Sequence, residues 1–292
     1  MKSRFLSLTL LAVAMLSIGA RAAQQKPPAT PYQAPLLSDG QPDIQGLWGD
    51  VLENIASLNV ERGDLLHESA LKLGVGEFPA LKMFKGFLID PPDGLLPHQP
   101  WALERRNEAL KEFLAPSPAM MDPQTRGWPN GIPRENYYSS NANGPYQILQ
   151  PPGYVVFFYE IHHEFRIVPL DGRPHPGKNI KLWLGDSRGR WEGNTLVIDV
   201  TNNNDSTRFD VMGNFHSDEM RVTERWTIVD KDTLEYRATI DDPKVYTKPW
   251  TLGVTMVRSP EGNELMEYAG VEGDSGVATA AAIREAKDSE PK

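Results

Sequence analysis

The chain has 292 residues, 24% charged and 40% hydrophobic, with a net charge of −9. That length supplies material for one large core, and the acidic balance argues against nucleic acid or an anionic membrane surface as the main partner. Cysteine is absent, which excludes disulfides, thiolate metal sites and cysteine nucleophiles.

The N-terminus reads as a secretory signal over residues 1–22. Lys2 and Arg4 form a positive region, residues 5–18 an apolar run, and Ala20-Arg21-Ala22 a small-x-small cleavage site. The apolar run is too short for a comfortable membrane span, and no cysteine follows to carry a lipid. The expectation is a periplasmic or secreted protein, with no membrane anchor, that starts near Ala23. Residues 23–42 are rich in Pro, Gln and Ala and read as an extended linker.

Residues 43–135 read as a Pro-rich, partly helical segment that packs on a sheet. Residues 43–50 have the pattern of an edge strand that seats Trp48 in the core. The clearest helix covers residues 101–114, opened by Pro100 and stopped by Pro116.

From Asn136 the composition turns to alternating β-branched and aromatic residues. Strands are predicted at 146–150, 154–159, 165–170, 181–184, 221–229, 234–240, 250–257 and 264–268. A central hairpin is predicted at 189–201, turning at Gly193-Asn194, residues that accept positive φ. The fold class expected is mainly β: an antiparallel meander over 136–272 that closes into a lipocalin-like barrel or a strongly curled sheet. A β-sandwich is the alternative, and residues 273–292 read as a flexible tail.

At Asp171-Gly-Arg-Pro-His175, Gly189-Arg-Trp-Glu-Gly193 and Pro249-Trp-Thr251 the sequence resembles a broad group of secreted proteins of acidobacteria and proteobacteria. The likeness covers most of residues 43–272. It implies export and carries no reaction. Members often have cysteines where this chain has Gly127 and Gly270, so the resemblance implies that a disulfide is lost here in both halves.

Candidate chemistry comes from strand phase. Met220, Val222, Glu224, Trp226 and Ile228 share one face, which places the Glu224 carboxyl in an apolar stripe. Such a group has a raised pKa and serves as a general acid or base, unless an internal cation pairs with it. Arg166, in phase with Val168 and Leu170, is that cation or else a receptor for a ligand's anion. Both readings stand at this level. His216 falls in phase with Glu224, eight residues earlier, and at the mouth of the same continuous strand it would lie about 26 Å away.

The expected catalytic group is therefore Glu224, His216 and Arg166. Arg173 and His175 on a stiff loop, with Trp191, Trp226 and Tyr236, are the expected substrate-binding residues. The acidic run at 202–205 lacks an EF-hand pattern. The histidines have no regular metal-ligand spacing, and phosphate-binding or dinucleotide fingerprints are absent. No metal and no cofactor is expected. The function expected is cofactor-independent acid–base chemistry, of lyase, isomerase or cyclase type, on a hydrophobic or aromatic small molecule. The alternatives are a non-catalytic ligand carrier and a structural envelope protein.

Overall fold

The computed structural model describes residues 32–50, 59–77, 79–113, 116–117, 120–137 and 145–267. The expected signal, residues 23–31 of the linker, Gly270 and the tail lie outside these residues. In the N-terminal third, β1 is Gly46–Asp50, α1 Gly63–Lys72, β2 Leu88–Asp90, α2 Pro100–Lys111 and α3 Arg134–Tyr137. Then come β3 (Tyr146–Leu149), β4 (Tyr154–Tyr159), β5 (Phe165–Pro169), β6 (Asp186–Glu192) and β7 (Thr195–Thr201). The last strands are β8 (Arg221–Asp230), β9 (Thr233–Asp241) and β10 (Trp250–Arg258).

Nine strands form a nearly closed antiparallel barrel in the order β5-β4-β3-β1-β10-β9-β8-β7-β6, with β2 paired to β10 beside this path. Period-two alternation builds the interior. Val222, Glu224, Trp226 and Ile228 of β8 face inward, as do Leu234, Tyr236, Ala238 and Ile240 of β9, and all are buried. Inward residues of the other strands join them in one apolar cluster that runs from Trp48 to Met256.

The residues before 136 do more than pack on the sheet. β1 enters it between β3 and β10, so Trp48 is buried as expected while its strand is central and not an edge. That insertion explains a second difference. Residues 264–267 form no strand, because β1 and β2 already occupy the edge of β10 that a later strand would take. Helix α2 starts at Pro100, where a missing N–H costs nothing. It buries Ala102, Arg106 and Leu110.

Strand parity shapes the barrel seam. Every neighbouring pair along the path is antiparallel. With nine strands, an odd number, the two terminal strands β5 and β6 must run in the same direction. They share no ladder. Side chains close the gap: Arg166 Nε donates to Ser187 Oγ at 2.8 Å, and a Cβ on Gly189 would lie 2.6 Å from Leu170 Cδ2 and 2.7 Å from Val168 Cγ1. Glycine lets the two strands approach here.

A parallel seam also needs a long return connection. Residues 170–185 are that return, and they contain the stretch 181–184 expected to be a strand. Only Leu182 makes a bridge, to Asn203. Asn202, at φ 60°, donates its side-chain amide to the carbonyls of Gly177 at 3.0 Å and Ile180 at 2.9 Å. The connection is therefore pinned as a loop across the end of β7.

Gly189→Val is expected to force the seam apart and lower stability by about 1–3 kcal/mol, as overpacking does, read from urea unfolding. Parental stability would show that β5 and β6 are not in contact there.

Candidate active site

The expected interior site is a closed polar network. Glu224 is fully buried and its Oε2 takes a charge-assisted hydrogen bond from Arg166. Its Oε1 accepts from Asn136 Nδ2 at 2.5 Å and from the Tyr236 hydroxyl at 2.8 Å. The Tyr159 hydroxyl donates to Asn136 Oδ1 at 2.8 Å. Burial opposes the charge of Arg166, but the Glu224 carboxylate outweighs it and holds the guanidinium pKa above its usual value. Burial pushes the Tyr159 and Tyr236 hydroxyls up, and both stay protonated donors. Within this network, Arg166 Nη1 is left without a hydrogen-bond partner.

The pairing answers the alternative left open by strand phase: Glu224 and Arg166 satisfy each other. Aromatic rings pack around the pair, with Trp226 and Tyr236 4.3 Å apart and Phe157 5.2 Å from Trp226. Asn136, Tyr159 and Ser187 were not foreseen in this network. Period-two alternation points Tyr159 and Ser187 inward, but Asn136 comes from α3, which no strand pattern reveals.

His216 is not on a continuous strand with Glu224. β8 starts at Arg221, and Phe215 instead bridges Arg208 in the preceding loop. The His216 ring is buried and satisfied on both sides, by Thr207 Oγ1 at 2.6 Å from Nε2 and the Ser217 carbonyl at 3.0 Å from Nδ1. Burial holds its pKa below the ordinary histidine value. Asp210 is likewise turned inward, accepting from the backbone of Val60, Met212 and Asn214. No group of three or more potential metal-ligating His, Cys, Asp or Glu residues occurs among the described residues.

Of the expected site residues, His175 borders a cleft at one end of the barrel, and none lines a second cleft at the other end. Arg173 is exposed and clamps Asp171 at 2.7 Å, drawing that carboxyl down to about 2. Trp191 is half-buried at the opposite end of the barrel, with Nε1 donating to Gln41 Oε1 at 3.1 Å. Trp226 and Tyr236 lie in the core.

The larger cleft, of about 540 Å³, sits where β6 and β8 begin and β7 and β9 end. Its walls are His175, Lys178 and Lys181 of the return loop, Thr201 and Asn202, and residues of the 218–221 and 241–243 segments. His175 Nδ1 lies 2.6 Å from Asp186 Oδ1, and Asp186 is held in turn by Arg188 at 2.9 Å. A carboxylate acceptor at Nδ1 fixes the tautomer, so Nε2 carries the lone pair. That nitrogen has no hydrogen-bond partner among the described residues. The dyad spans eleven residues across a loop, and nothing local in the sequence marks Asp186 as the partner.

The second cleft, of about 270 Å³, lies at the other end of the barrel, beside Tyr32, Ile228 and Leu234. Arg258 stacks there over Trp48 at 4.3 Å. Comparison with protein-family models, curated proteins and solved structures finds no match to this chain. No helix among the described residues is long and apolar enough to cross a membrane.

Two stability measurements check this account. Glu224→Gln strips the buried Arg166 of its counter-charge and is expected to cost about 3–5 kcal/mol in chemical denaturation. The paired replacement Arg166→Met with Glu224→Leu should cost less than Glu224→Gln alone, because no buried charge is left unpaired, although Asn136 and Tyr236 lose their acceptor. A Glu224→Gln protein as stable as the parent would contradict the pairing.

The second concerns pH. His216 is neutral in the fold, while the unfolded chain takes up its proton as pH falls through about 6.5. The unfolded state then binds more protons, so stability falls on acidification below that value and is flat above it. His98, whose pKa burial also lowers, acts in the same direction. Between about pH 7.5 and about pH 5.5, His216→Asn should lose less unfolding free energy than the parent. Equal losses would contradict a neutral buried His216.

Proposed function

We propose that this chain is an exported enzyme that moves a proton on a small molecule, of isomerase or lyase type, with His175 as the base. The carrying observation is that His175 has Nδ1 anchored on Asp186, Nε2 unengaged, and its ring on the wall of the larger cleft. An imidazole oriented by a carboxylate and open on its second nitrogen is the arrangement general base catalysis needs. The pinned return loop supports the reading, because a base must be held in place to act. Pro176, Met220 and Pro243 supply apolar surface for the carbon frame of a substrate. Export rests on the signal pattern of residues 1–22. Neither Glu224 nor His216 takes part in this mechanism: one is bound to Arg166 and the other to Thr207.

A non-catalytic carrier is the second reading, favoured by a cleft large enough for a small ligand. Turnover separates the two. The protein would be incubated in heavy water with a panel of small carbonyl, hydroxy and aromatic acids, and deuterium incorporation and product formation read by mass spectrometry. At least one member is expected to react. His175→Gln should retain the parental melting temperature and lose about 100-fold or more of the rate, and Asp186→Asn should lose less. Binding without any exchange or product would favour the carrier. Full activity in His175→Gln would refute His175 as the base.

A further inference from the structure

We infer that the larger cleft selects a small organic monocarboxylate, held by Arg221 and Lys178; the inference rests on the reading of that cleft as the ligand site.

The charge pattern of the cleft carries it. Three charges on its walls are engaged: Lys181 contacts Asp218 at 3.1 Å, and Lys244, from outside the lining, lies 3.3 Å from Asp218 and 2.9 Å from Glu219. Two cations thus balance two carboxylates. Arg221, Lys178 and Asp241 remain on the walls, and none of them has an ion-pair or hydrogen-bond partner among the described residues. Arg221 and Asp241 are directly opposed across β8 and β9. Opposite charges in that register ordinarily pair, yet these two stand more than an ion-pair distance apart. The unengaged charges sum to one positive, which suits a single carboxylate. A dianion such as phosphate would meet Asp241 with a charge left over.

Both cations are exposed on the cleft wall, on backbone that the fold positions. Arg221 opens β8 just after the buried Met220 on the cleft wall. Lys178 lies between Gly177 and Ile180, whose carbonyls Asn202 holds. A guanidinium fork reads a carboxylate bidentately, and a lysine beside it adds a point charge. With the carboxylate seated there, the carbon frame of the ligand would share the cleft with His175.

The test uses the full chain and three carboxylates, acetate, benzoate and 3-phenylpropanoate, with benzyl alcohol as neutral isostere and inorganic phosphate as competing anion. Affinity is read by calorimetry, and the location by amide shifts in NMR spectra. At least one carboxylate should bind, perturbing the amides of Thr201, Asn202 and Arg221, and should bind at least ten-fold tighter than benzyl alcohol or phosphate. Lys178→Gln combined with Arg221→Gln should weaken it at least ten-fold with the melting temperature retained. His175→Gln should change it less than three-fold, so a failure of the base and a failure of the receptor read differently. The inference is overturned if no carboxylate binds, if benzyl alcohol or phosphate binds as well, or if the double variant binds like the parent.

Discussion

The Arg166 guanidinium holds the barrel closed where the backbone cannot. It leaves β5, touches Ser187 on β6 across the seam and reaches Glu224 on β8 through the interior. Nine antiparallel strands leave two terminal strands running the same way, and no ladder joins them. A buried charge pair supplies the link. Its desolvation is offset only because Asn136 and Tyr236 complete the Glu224 carboxylate. The pair is satisfied within the fold, beside the packed rings of Trp226, Tyr236 and Phe157.

The same parity places the candidate site. A chain that ends β5 at one end of the barrel and starts β6 at the other must travel back along the outside. Residues 170–185 make that journey and deliver His175 beside Asp186, the first residue of β6. The loop is fixed by Asn202, which accepts a left-handed backbone to present its amide to two carbonyls. Rigid strand ends and one pinned loop thus bring a histidine, an arginine and a lysine to one cleft.

Much of the barrel was legible in the chain. Alternation in residues 220–240 marked the inward faces of β8 and β9 and put Glu224 inside, and the phase of Arg166 with Val168 put the guanidinium inside with it. What escaped depends on distance in sequence. β1 pairs with β3 and β10, partners far along the chain, and its pattern alone says strand without saying central. Residues 181–184 have strand composition but are held by Asn202, a partner whose role appears only once β7 is in place. The His216 phase failed because the strand starts later, at Arg221. Of the candidate site, His175 was legible as a projecting loop residue. Asp186, Arg221 and Lys178 were not, because polar residues on strand ends and loops look alike until the fold selects which face a common cleft.

In the proposed function, the small molecule binds outside the barrel end and not within it. A crystal structure of the protein soaked with a carboxylate that it binds tests this most directly. The account predicts density in the cleft, with the carboxylate on Arg221 and the carbon frame beside His175 Nε2, and Arg166 still bound to Glu224. Density inside the barrel, with the Arg166–Glu224 pair opened to receive the ligand, would contradict it.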